Sequence, residues 1–225
     1  MSKISVVGRG TIHVVPDVTR IEVTVSAVFD TYDEAYKKAR EGSSWMVKIL
    51  EYNNLSGNLC KTVKLDISDH LVSEYDENDN YIGQLKEGYD LNMKMKIDIG
   101  IDNVMVNNLV RGIGKFISGA QINIGYTVMD PRPTQLKMLE RAVKDATEKA
   151  EIMANAAGCQ LGSVSEIEYE RQSIHVYSQA RNIHSNDEAK ASTADSLDIT
   201  PEDLAFSDYV NVSWELKPIE STTNN

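Results

Sequence analysis

Hydrophobic positions recur along this chain with two periods, and the changes between them mark its elements. Over residues 19–27, Ile21, Val23, Val25 and Ala27 alternate with Glu22, Thr24 and Ser26, the signature of a strand with one buried face. Residues 4–15 read as a shorter strand pair or one bent strand, with Gly8 and Gly10 on either side of Arg9 and a turn at Pro16-Asp17. The period then lengthens. Thr31 and Glu34 have capping-box spacing, Phe29 is placed to staple onto Ala35, and Tyr32, Ala35, Tyr36, Ala39, Ser43, Met46, Ile49 and Leu50 make a helical stripe. This helix is about 33 Å long, and Asn53-Asn54 and Gly57-Asn58 end it.

Alternation returns in Val63, Leu65, Ile67, Leu71 and Tyr75, and again in Tyr89, Leu91, Met93, Met95, Ile97 and Ile99. The polar turn at residues 76–80 joins these runs into an antiparallel hairpin, whose wet face carries Lys64, Asp66, Ser68, Asp90, Asn92, Lys94 and Lys96. Gly83 and Gly88 mark a bulge or bend near its end. Asp102 caps a second helix with Met105, Val106, Leu109, Val110, Ile113, Phe116 and Ile117 on its apolar side, and Gly119 lies just past its end. Ile122, Ile124, Tyr126 and Val128 then form a strand. Asp130-Pro131 opens a third helix, about 40 Å long, with the stripe Leu136, Leu139, Val143, Ala146, Ala150, Met153 and Ala157 and a stop at Gly158. Such a helix either lies along a whole sheet or protrudes toward a partner.

Residues 164–169 read as a short strand with an acidic face, Glu166, Glu168 and Glu170, after which periodicity stops. Residues 172–204 form a polar insertion relieved only by Ile174-His175-Val176-Tyr177. Phe206, Val210, Val212, Trp214 and Leu216 restore a strand that Pro218 ends, leaving residues 219–225 as a flexible tail. The order over residues 18–129 is strand, helix, strand, strand, helix, strand. The fold class expected is therefore α+β: a ferredoxin-like βαββαβ core in an antiparallel-dominated sheet, extended by a long third helix and by further N- and C-terminal strands. Right-handed crossovers set the first long strand between the third and the fourth. The remaining strands join that sheet or a small companion sheet, so that residues 1–218 make a single domain.

Five segments, in order, resemble the SIMPL domain family, also called DUF541. They are the G-x-G-x-x-x-x-x-P-D opening from Gly8 to Asp17, Gly88-Tyr89 with the strand after it, GAQINIGYTVMDP from Gly119, DATEKAEIMANAAGCQLGSVSEI from Asp145, and Val210-Asn211-Val212-Ser213-Trp214-Glu215-Leu216. The resemblance covers nearly the whole chain. It implies a bacterial protein of unassigned molecular role, of a kind found in the envelope or periplasm and linked in some members to oxidative-stress tolerance or surface immunogenicity. It also implies assembly, since at least one resembling protein forms a large ring-like oligomer. It brings no catalytic residues. Gly8, Gly10, Pro16, Asp17, Gly119, Pro131 and Gly158 all read as turn or cap positions.

Composition narrows the partners. The chain has 225 residues and a formal net charge of -11, a field that repels nucleic acid, and no basic patch offsets it. No apolar run approaches the roughly 20 residues of a membrane-spanning helix. The N-terminus shows neither a basic leader nor a cleavage site, which reads as cytoplasmic, with the periplasm as the alternative if a leader has been removed. Cys60 and Cys159, the 2 cysteines, read as free packing thiols, with peroxide sensing as the functional alternative.

The search for chemistry turns up few groups. His13 and His70 fall on the polar phase of strands, and His175 and His184 fall in the insertion with Tyr177 and Asp187 near them. Asp66 with Asp69, the cluster Asp76, Glu77 and Asp79, and the run Glu166, Glu168 and Glu170 have calcium as their functional reading and turn solubility or edge protection as the plainer one. Accordingly no residue is assigned as catalytic, cofactor-binding or metal-binding, and no cofactor is expected. The tyrosines 32, 36, 81, 169, 177 and 209 suit a contact surface as well as a core. The reading is a non-enzymatic homo-oligomer or protein-binding protein, with a small-ligand or redox-related protein as the alternative.

Overall fold

The computed structural model describes residues 2–169, 178–184 and 201–218. In chain order the elements are β1 (Lys3–Val14), β2 (Val18–Phe29), α1 (Tyr32–Tyr52), a 3-10 turn (Gly57–Leu59), β3 (Cys60–Tyr75), β4 (Tyr81–Gly100), α2 (Asn103–Phe116), β5 (Ala120–Thr127), α3 (Arg132–Ala156), β6 (Cys159–Glu168), β7 (Ser178–His184) and β8 (Leu204–Pro218). They divide into two compact units, one built on residues 17–127 with β7 and the other on β1, α3, β6 and β8. The α+β class is as the periodicity predicts.

In the first unit the strand order is β3-β4-β2-β5-β7, with all neighbours antiparallel. The first long strand, β2, thus lies between the third and fourth strands of the βαββαβ core, as right-handed crossovers require. Its inward residues Ile21, Val23 and Val25 meet Met93, Met95 and Ile97 of β4 and Ile122 and Ile124 of β5, beneath Met46 and Leu50 of α1 and Leu109 and Ile113 of α2. Both helices start as their sequences predict. The Thr31 hydroxyl accepts from the Glu34 N–H at 3.3 Å and donates to the Glu34 carboxylate at 3.0 Å, and Asp102 accepts from the Met105 N–H at 3.0 Å. The α1 stripe is narrower than its sequence suggests. Tyr32 and Tyr36 are 50% and 52% exposed, their rings stacked at 6.4 Å, and Ala35, Ala39 and Gly42 form the inward line instead.

β7 is a strand within residues read from sequence as polar insertion. It pairs antiparallel with β5, and backbone hydrogen bonds to an open sheet edge need no apolar alternation, which is the signal the sequence lacked. The cluster at residues 174–177 and the tail at 219–225 lie outside the described residues.

The second unit is a three-stranded sheet, β1-β8-β6, covered by α3. β1 is one unbroken strand of 12 residues, paired with β8 from Lys3↔Glu215 to Val14↔Leu204, where the sequence suggests a pair or a bend. Gly8 and Gly10 are therefore not turn residues. A Cβ on Gly8 meets the Ala142 carbonyl oxygen at 2.0 Å, and one on Gly10 meets that of Met138 at 1.9 Å, so α3 rests on bare strand backbone. This approach rotates the stripe. Met138, Ala142, Ala146, Ala150 and Ala154 are buried, whereas Leu136 and Met153 of the expected stripe are exposed. With 25 residues, α3 is about 38 Å long, close to the roughly 40 Å of β1, so its length matches the strand that it covers.

Candidate functional site

The surface that stands out belongs to the hairpin of β3 and β4. β2 pairs with β4 only between Tyr89 and Gly100, so beyond Gly88 the hairpin has no third strand among the described residues. A register shift between His70 and Leu71, opposite Gly88 and Lys86, marks where it leaves the sheet. From there Leu71 to Tyr75 pair with Tyr81 to Lys86, an arm about 17–20 Å long by strand rise. Its turn is built by Asp76, whose carboxylate accepts from the N–H groups of Asn78 at 2.8 Å and Asn80 at 2.9 Å and is held below its ordinary range by Asn80 and Asn78. At the root Lys86 donates to Asp69 at 2.7 Å and lies 3.9 Å from the Tyr89 ring centre.

The sequence places Val63, Leu65, Leu71 and Tyr75 on one strand face, and the structure leaves all four about half exposed. The reason lies in the topology: β3 is the edge strand, and beyond His70 it runs past the part of β4 that β2 pairs with. Tyr81, Ile82 and Leu85 of β4 are exposed in the same arm, and Tyr75 and Tyr81 meet edge to face at 6.1 Å. By the register Leu71 and Ile82 share one face of the arm and Leu85 lies on the other, so apolar side chains are exposed on both faces, and on a charged chain these mark a contact surface.

The other candidates do not converge among the described residues. His70 Nδ1 lies 3.0 Å from the Asp90 carboxylate, a cross-strand pair, and no group of three or more His, Cys, Asp or Glu is placed to hold a metal there. His13 lies on β1 opposite Ala205, and His184 on β7 opposite Gln121. His175, Tyr177, Asp187 and Glu170 are outside the described residues. Lys3 donates to Glu166 at 3.0 Å, and the Asn211 side chain donates to Glu168 at 3.0 Å, so these acids brace the β6 edge. Cys60 and Cys159 are free, half-buried thiols. Burial pushes the Cys60 thiol up, against a smaller opposing effect of Lys61, the direction opposite to a reactive thiolate.

One buried group escaped the sequence. Asp208 is 2% exposed, accepting from the Tyr169 hydroxyl at 2.8 Å and from the Tyr209 N–H at 2.9 Å. Its signal is phase: it falls on the inward alternation between Phe206 and Val210. No helix among the described residues is long and apolar enough to cross a membrane.

The family model SIMPL, a protein of unknown function (DUF541), matches residues 4–214. No curated protein matches the chain. The chain belongs to the SIMPL family.

Proposed function

We propose that this SIMPL-family chain works by protein–protein contact, first with copies of itself, and carries out no catalytic step. The observation that supports this is the arm of β3 and β4, which holds Leu71, Tyr75, Tyr81, Ile82 and Leu85 half exposed beyond the sheet. An isolated two-stranded ribbon is marginal in water, and burying its apolar side chains against a second surface stabilises both. The edge of β3 adds unpaired backbone groups to the same side of the sheet. The length of α3 adds nothing to this reading, since β1 accounts for it. A place in the envelope or in stress tolerance is part of the proposal only through the family likeness of the five segments. Sedimentation velocity of the full chain tests assembly: the expected mass is a multiple of 25.1 kDa, and a clean monomer at micromolar concentration overturns it.

A further inference from the structure

A trough of about 730 Å³ runs between the C-terminal halves of α1 and α2. Its base is set by Gly112: a Cβ there meets Ile49 Cγ2 at 2.9 Å, so the missing side chain lets the two helices close together at that point. One wall is an aromatic pair, Trp45 and Phe116, with ring centres 4.7 Å apart and planes 12° from parallel. Both rings remain more than a third exposed. Three cations line the trough with them: Lys48, whose ammonium is 4.7 Å from the Trp45 ring centre, Lys115, 5.1 Å from that of Phe116, and Arg111.

We propose that this trough binds an acidic peptide segment carrying an aromatic or large aliphatic anchor. Charge is the first argument. On a chain of net charge -11, a lining with three cations and no carboxylate runs against the field of the whole molecule. None of the three is in an ion pair among the described residues. Complementing the helix dipole explains only Lys115, the basic residue in the last turn of α2. Lys48 lies outside the last turn of α1, which holds no basic residue, and Arg111 lies more than a turn before the end of α2. Shape is the second argument. The trough is open along two helices, the form that accepts a peptide laid lengthwise, and its aromatic wall offers apolar contact beside the charges. A polyanion such as nucleic acid meets the repulsion of the whole chain, whereas a short acidic segment carries few enough charges for the local cations to prevail. Nothing in this proposal depends on the arm or on assembly.

The test uses the full chain and a fluorescein-labelled decapeptide with four Glu and a central Phe-Leu pair, followed by anisotropy. The expected result is saturable binding, accompanied by a change in Trp45 emission; the only other tryptophan, Trp214, is buried. Lys48→Gln/Arg111→Gln weakens it about tenfold, and replacing the four Glu of the peptide by Gln weakens it comparably. Lys37→Gln/Lys38→Gln, the same charge change elsewhere on α1, leaves it unaltered. The proposal is overturned by equal affinity in the Lys48/Arg111 variant, by equal affinity for the Gln peptide, by an equal loss in the Lys37/Lys38 variant, or by no saturable binding up to about 1 mM.

Discussion

At the scale of single residues, the glycines of β1 are the sharpest case of sequence dictating contact. Gly8 and Gly10 sit where a methyl group reaches about 2 Å from a helix carbonyl oxygen, far inside van der Waals contact, and backbone cannot swing aside as a flexible side chain does. Gly8→Ala and Gly10→Ala are each expected to lower the free energy of unfolding by about 3 kcal/mol or more. Gly114→Ala, on an exposed helix face with nothing within 4 Å of the new methyl, is expected to raise it by about 0.5–1 kcal/mol. Urea unfolding of the three variants checks both signs. Arg20 and Asp98 give a pH-dependent counterpart. Arg20 donates to Asp98 through Nε at 2.7 Å and Nη2 at 2.8 Å, which holds the carboxyl below its ordinary range although burial opposes it. A depressed carboxylate contributes stability that is complete above its unfolded value near 3.9 and is lost as pH falls through the lower folded value. Asp98→Asn is therefore expected to shift the urea midpoint down at pH 6 and to converge on the parent protein as pH falls below the ordinary Asp value and through the lower folded one. A gap that stays constant across that range contradicts the assignment.

At the scale of elements, the sequence was most legible where one period and one cap agreed. The α1 and α2 boundaries, the alternation of β2, β4 and β8, and the polar turn at Asp76 could all be read directly, because each rests on contacts within the element or its immediate neighbours. Three other features depended on what an element meets far along the chain. The face of α3 followed Ala142, Ala146 and Ala150 instead of the larger Leu136 and Met153, because bare glycine backbone on β1 accepts only small side chains at that distance. β3 alternated as a buried strand does and yet lies at an edge, since periodicity states which residues share a face and not whether anything covers it. β7 carried no period at all and is held by its pairing with β5. Of the surfaces, the sequence supplied the tyrosines but not their placement. The exposed arm follows from β4 running 20 residues where β2 runs 12. The trough brings together Trp45 and Phe116, whose nearness depends on the packing of two helices.

For the whole molecule, composition excluded more than it identified. The acidic balance argues against nucleic acid as partner, and the hairpin that projects from the sheet argues for a protein surface. Self-assembly through that arm is tested most directly by the solution mass of the full chain beside a variant bearing Leu71→Lys, Ile82→Lys and Leu85→Lys. These side chains are about half exposed, so the substitutions are expected to leave the core of β2, β4 and β5 folded, which far-UV circular dichroism and the urea midpoint verify. The predicted result in sedimentation velocity is a multiple of 25.1 kDa for the parent chain and 25.1 kDa for the variant. A folded variant that keeps the mass of the parent assembly contradicts the claim.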